Sequence, residues 1–210
     1  MRNFRVPNEL KQVIGSETSD FIIKSKRNYP RKKAFATLGL ALFWNLMLSV
    51  FWFVMIGPLF KGEEVHFESN GISKTASTED WSELIIPSLI IGLFTIVGIF
   101  IFVYGIVMLF QKGGYYAGTP SRLIKFRNGK TTITDWEQFT GNIKIDSKNN
   151  AGNLEFELRT GKTHSKKNSG DRFVPDIIHI TGITNVFEIE KKCNLRIKEN
   201  DPTPSNVESN

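Results

Sequence analysis

Catalysis in this 210-residue chain would need clustered histidines, a phosphate-cradling loop, a working carboxylate pair or a reactive thiol. The three histidines, His66, His164 and His179, are far apart and lack the close spacings of zinc motifs. Gly129-Lys130-Thr131 and Gly161-Lys162-Thr163 imitate the end of a phosphate loop, but that loop needs a glycine five positions before its second one. Ile124 and Phe156 stand there instead, so both strings read as turns between strands. Asp135 and Glu137 flank Trp136 and would share a face in a strand, yet nothing beside them suggests acid–base work, and they read as a solvated face. No Gly-x-Ser-x-Gly turn and no dinucleotide-type glycine turn opens a helix. Cys193 is the one cysteine, which excludes an intrachain disulfide; it reads as a half-buried helix residue rather than a nucleophile. These residues argue against an enzyme and imply no metal and no cofactor, although a site completed by another chain stays open.

Two basic clusters remain as chemistry of surfaces. Lys24, Lys26, Arg27, Arg31, Lys32 and Lys33 precede a long apolar block and can contact anionic headgroups, at about 1 kcal/mol per cation near the surface. Alternatively they only fix topology. Lys162, Lys166 and Lys167, with His164, decorate a polar stretch and serve either solubility or contact with a headgroup or protein partner. Neither cluster shows the interleaved exposed aromatics of single-strand binders, so nucleic acid is not an expected partner.

The elements that position these clusters begin with two uncharged runs, Ala34–Phe60 and Leu84–Phe110. Each exceeds the ~20 apolar residues that span a bilayer. The first begins after 33 mostly polar residues and is too long for the core of a cleavable signal, so it reads as a retained anchor. Nine cations precede it, whereas the segment Lys61–Glu83 has only Lys61 and Lys74 against six carboxylates. Lys112, Arg122, Lys125 and Arg127 follow the second run. The cation bias places both termini in the cytoplasm and the acidic loop outside, in the plasma (inner) membrane. Trp81, Tyr115 and Tyr116 are expected as interfacial anchors, and Gly57-Pro58 and Gly113-Gly114 as helix ends.

Within the runs, Ala41, Asn45 and Ser49 share one helix face, and Ser88, Gly92 and Thr95 share another, with Gly98 close by. An antiparallel hairpin matches Asn45 with Gly98 and Ser49 with Thr95, with the Asn45 amide free to bond across. The stripe packs the hairpin, faces a second protomer or partner helix, or lines a pore. No Asp, Glu, Lys, Arg or His lies inside either run, which argues against proton relays.

From Gly118 onward the period becomes strand-like. Ser121–Phe126 and Thr131–Thr134 flank an Asn128-Gly129 hairpin signal, and Asn142–Asp146 alternates. A turn over Lys148–Gly152 leads to Asn153–Arg159, with Leu154, Phe156 and Leu158 inward. Thr160–Asp171 reads as a polar loop, and Arg172–Thr181 as strand broken at Pro175. Asn185 then caps a helix whose apolar face is Val186, Ile189, Cys193 and Ile197, ending near Asn200 before a disordered 201–210 tail.

Tyr116–Ile124, Asn128-Gly129, Trp136, Phe139, Gly152–Phe156 and Gly182-Ile183 stand in an order that resembles bacterial pleckstrin-homology-like domains following a two-helix membrane hairpin. Gly15–Arg27 resembles the segment before such a hairpin. The resemblance covers most of the chain and implies a partly open β-barrel capped by the C-terminal helix; it implies no ligand. The expected architecture is thus an α+β membrane protein. A basic segment (1–33), a transmembrane hairpin (34–60 and 84–110) and an acidic outer loop (61–83) precede a small antiparallel β-barrel or sandwich with a capping amphipathic helix (115–200). An OB-like barrel is the rival fold, but its usual strand plan does not explain a long terminal helix.

The expected function is non-enzymatic: a tethered module meeting membrane lipids, a protein partner or another copy of itself. Trp136, Phe139, Lys162, Lys166 and Lys167 are candidates for the partner face, with Trp136 and Phe139 equally placed to be core. The rivals are an accessory subunit of a larger membrane complex docking through the hairpin, and a small oligomeric channel. Asn45→Leu separates the first two: copurification from native membranes is lost if the hairpin docks and retained if the module binds.

Overall fold

A computed structural model describes residues 5–69, 71–166 and 170–202, without the side chains of Ser69 and Lys166. The chain divides into two compact units, Met1–Pro30 with Phe110–Asn210, and Arg31–Leu109.

The second unit holds α2 (Arg31–Ile56) and α3 (Ile85–Phe110), whose last residue belongs to the other unit. At 1.5 Å per residue each 26-residue helix is about 39 Å long, enough by length and composition to cross a bilayer. Small residues let the helices meet. Ala34, Ala41 and Leu48 are buried at seven-residue spacing, as are Gly98 and Gly105, the repeat of a left-handed helix pair. A Cβ on Gly98 would come within 2.8 Å of the Asn45 amide, and one on Gly105 within 2.8 Å of Leu38. Asn45 therefore sits on Gly98 as expected, but its amide donates to Ala41 O of its own helix at 2.7 Å instead of bonding across. Ser49 is exposed and donates back to Leu46 O at 2.7 Å. The partner of Thr95 is Trp52, whose Nε1 donates to the Thr95 hydroxyl at 2.9 Å; Trp44 Nε1 donates to Phe94 O at 3.2 Å. A tryptophan reaches across a helix pair where a serine cannot. The segment between the helices forms a hairpin, β2 (Val65–Ser69) with β3 (Ile72–Ala76), and Lys74 pairs with Glu83.

The first unit begins with α1 (Asn8–Ile14) and β1 (Phe21–Lys24), before the helical hairpin. After the hairpin come β4 (Tyr115–Gly118), β5 (Arg122–Arg127) and β6 (Lys130–Asp135), then β7 (Phe139–Lys148), β8 (Ala151–Lys166), β9 (Gly170–Thr184) and α4 (Val186–Glu199). They form two antiparallel sheets, ordered β1-β4-β5-β6 and β7-β8-β9, with no strand pairing between them. The expected barrel is therefore not closed. The N-terminal stretch, expected only as a basic segment, supplies an edge strand: Phe21 pairs with Gly118 and Lys24 with Tyr115. The pairing runs on toward the hairpin, where Ser25 N donates to Gly114 O at 2.9 Å and Asn28 N to Gln111 O at 3.2 Å. Gly113 makes this possible, since a Cβ there would lie 2.4 Å from Ser25 O.

The Asn128-Gly129 turn has φ of 49° and 74°, the left-handed pair that a two-residue hairpin needs. The stretch Thr160–Asp171, expected as a loop, instead extends β8 and β9 into a ribbon, with Lys162 opposite Val174 and His164 opposite Arg172. Both ribbon faces are exposed, so selection for alternating polarity is absent and the strand period is hidden. Pro175 does not break β9; it lies opposite Gly161, at the irregularity after Glu157, where a missing N–H costs no ladder bond. Asn185 precedes α4 in the left-handed conformation and makes no cap; its Oδ1 accepts from Asn150 at 3.3 Å.

The core lies between the sheets and α4. It gathers Trp136, Phe139, Phe156, Leu154, Ile180 and the α4 face Val186, Ile189, Cys193 and Ile197. Burial pushes the Cys193 thiol well above its ordinary range, in line with an inert packing residue. Leu10 and Ile14 of α1 pack with Ala117, Ile124 and Phe126 on the other face of the four-stranded sheet. Two ion pairs fasten the N-terminal stretch: Glu17 with Arg122, and Asp20 bidentate to Arg196 at 2.7 Å.

The Arg196 hydrogen bonds hold the Asp20 carboxyl below the usual carboxylate range, against the opposing effect of burial. A depressed carboxylate stabilises the fold above its unfolded pKa and loses that contribution as pH falls through its folded pKa. Asp20→Asn should cost about 1–2 kcal/mol at neutral pH and flatten the loss of stability between roughly pH 5 and 2, read by denaturant titration.

Candidate binding cleft

One edge of the four-stranded sheet is β6 and one edge of the three-stranded sheet is β9, and a cleft of about 250 Å³ opens between their residues. Its polar lining is Lys125 from β5, Thr132 and Thr134 from β6, His179 from β9, and Asn28 and Tyr29 from the stretch before α2. Leu123, Ile177 and Ile178 supply apolar walls.

Lys125 arrives there by strand parity. On β5, Leu123 faces the main core and Ile124 the α1 side, so Lys125 and Arg127 fall on the inward parity with Leu123. The Lys125 ammonium lies 5.7 Å from the Tyr116 ring centroid. Desolvation first, and the nearby Arg127 charge second, lower its pKa. The Tyr116 hydroxyl donates to His179 O at 2.9 Å, and burial raises its pKa. His179 Nδ1 lies 3.4 Å from Glu155 on β8. Among the described residues no carboxylate pairs with Lys125, and the buried Arg127 Nε has no hydrogen-bond acceptor. The polar chemistry around this small cavity is therefore a cation, hydroxyls, an amide and an imidazole, a set that suits an oxyanion.

The structure distributes the other candidates more widely. Lys24 is exposed at the end of β1 with its ammonium 5.3 Å from the Tyr115 ring, Lys26 is exposed, and Arg27 is half-buried with its backbone bridged to Lys112 and Thr181. Arg31, Lys32 and Lys33 occupy the first turn of α2 and are exposed. Three cations at a helix N-terminus oppose the macrodipole, so helix stability does not account for them. Trp136 and Phe139 do not present a partner face: they are 0% and 1% exposed, their rings 5.2 Å apart, and Trp136 Nε1 donates to Thr119 O at 2.7 Å. Tyr116, expected at headgroup level, is likewise core at 1% exposure. Lys162 is exposed on the ribbon, beside exposed Phe173 and Val174; Lys166 ends β8, its side chain outside the described residues with Lys167. The 201–210 tail lies outside them from residue 203 onward.

The cleft was not among the expected sites. Its signal in the sequence is Lys125 between the buried Ile124 and Phe126 of β5, a cation at the inward parity set by Leu123. Comparison with protein-family models, with curated proteins and with solved structures gives no match for this chain.

Trp136→Ala should destabilise the whole first unit by about 3–5 kcal/mol, read by urea unfolding, rather than remove one contact surface from an intact fold.

Proposed function

We propose that this chain is an integral membrane protein of the plasma (inner) membrane whose α2–α3 hairpin spans the bilayer and presents the two-sheet unit in the cytoplasm as a binding module, not an enzyme. The observation that carries this reading is the pairing of Phe21–Lys24 with Tyr115–Gly118. One strand precedes the hairpin and the other follows it, so a shared ladder requires both flanks on the same side of any bilayer. The cation bias supports the cytoplasmic side.

The helices support insertion. Phe43, Phe53 and Phe100 are 65%, 74% and 70% exposed, as are many neighbours, an apolar surface far larger than soluble proteins leave to water. The module is joined to the hairpin by two chain crossings, between Pro30 and Arg31 and between Leu109 and Phe110. Tethering raises its effective concentration toward a partner or an anionic surface. The ribbon, with Lys162, Phe173 and Val174 exposed, is the surface this reading assigns to a protein partner. The pleckstrin-homology-like resemblance is compatible with two stacked sheets and a terminal helix. For the rival docking through the hairpin, Asn45 packs on Gly98 within the helix pair, whereas Ser49 of the same stripe is exposed.

A photo-crosslinking residue placed at Phe173, and separately at Phe94, tests the reading in native membranes. The module reading expects a discrete protein adduct at Phe173 and none specific to Phe94. Adducts confined to Phe94 would overturn it and move the function to the hairpin.

A further inference from the structure

We propose that the cleft between the β6 and β9 edges binds a small phosphate-bearing ligand, with Lys125 as its anchoring cation. This deepens the binding-module reading and rests on it, but it does not need the hairpin to lie in a bilayer.

The argument starts from charge compensation. A half-buried cation loses hydration, and folded proteins recover that cost with a carboxylate or several acceptors. This unit follows the rule elsewhere: Arg122 pairs with Glu17, Arg196 with Asp20 and Glu199, and Lys192 with Glu188. Lys125 is the exception. It is half-buried and, among the described residues, without a carboxylate, and the next inward residue of its strand is a second cation, Arg127, whose Nε is buried with no acceptor among them. Carboxylates are not lacking in the unit; Glu155, on β8 of the other sheet, lies against His179 of β9. A fold that brings two cations to one inward face, with no anion for either among the described residues, suits an anion from outside.

The rest of the lining fits that occupant. The hydroxyls of Tyr29, Thr132 and Thr134 border the cleft and make no hydrogen bond among the described residues. Asn28 Nδ2 gives one hydrogen bond, to Gln111 at 3.2 Å, and an amide has two protons to give. Donors from three separate elements thus surround one space, which matches a phosphate with several acceptor oxygens better than a single carboxylate. The volume of about 250 Å³ is just below the ~300–1,000 Å³ usual for whole drug-sized ligands. Leu123, Ile177 and Ile178 leave room for a short carbon stub on the ester. Such a phosphoester has two sources, a soluble metabolite or a lipid headgroup.

The test uses the full chain in nanodiscs of phosphatidylcholine, titrated with glycerol 1-phosphate in a calorimeter, and in nanodiscs containing phosphatidic acid. Lys125→Met keeps the aliphatic stem and removes the charge; Lys162→Met removes a ribbon charge outside the cleft. The expected result is saturable binding that Lys125→Met weakens about tenfold to hundredfold and Lys162→Met leaves unchanged. Lys125→Met should also melt higher than the unmodified chain without ligand, because it deletes an uncompensated charge. That readout separates a lost site from a lost fold. If phosphatidic acid weakens the titration only when Lys125 is present, the headgroup is the source; if it does not, the soluble ester is. Absence of glycerol phosphate binding together with no Lys125-dependent difference between the discs overturns the proposal, as does equal binding by Lys125→Met. Crosslinking at Phe173 reads the protein partner independently, so loss of this site leaves the module reading intact.

Discussion

The backbone pairing of residues 21–28 with 111–118 is the constraint on which the first unit depends. It closes a loop of more than 80 residues, and loop closure grows only slowly more costly with length, so an inserted helical hairpin is thermodynamically tolerable. The pairing is held by more than ladder bonds. Ser25 Oγ lies 2.5 Å from Arg27 O and 2.6 Å from Thr181 O, and the Thr181 hydroxyl donates to Arg27 O, which ties the crossing stretch to β9 of the other sheet. Phe21 packs in the main core, and Asp20 clamps α4 through Arg196. Without the N-terminal stretch the four-stranded sheet would lose an edge and α4 an anchor.

The same arrangement creates the cleft. Two sheets that pack on a shared core without pairing leave edge strands facing each other, and edges are surfaces that proteins either cover or use. α4 covers the core near β7 and β8, while the stretch before α2 partly fills the gap beside β9 with Asn28 and Tyr29. What remains open is bordered by a cation and hydroxyls as well as by the apolar Leu123, Ile177 and Ile178.

Much was legible in sequence because its physical cause is local. Uncharged runs of bilayer length, the cation bias around them, the Asn128-Gly129 turn, the alternating Leu154, Phe156 and Leu158, and the helical spacing of Val186, Ile189, Cys193 and Ile197 all follow from period and turn chemistry. Local signals failed where a residue's role depends on a distant partner. The ribbon was hidden because strands exposed on both faces need no alternation. Trp136 was ambiguous because an indole beside two carboxylates looks solvent-facing until Thr119 O is found to accept from it. The Asn45 amide turned back to Ala41, and Trp52 took Thr95, because side-chain reach rather than depth matching decides contacts between helices.

The sequence by itself determined two long apolar helices, an antiparallel β region and a terminal amphipathic helix, since hydrophobic period and turn residues act over a few positions. Only the tertiary structure decided that residues 21–28 belong to the sheet beyond the hairpin, that the sheets stay unclosed, and that Lys125 has no counter-charge among the described residues. Those outcomes depend on pairing across more than 80 residues, and on which groups meet inside a packed core, which no local pattern encodes.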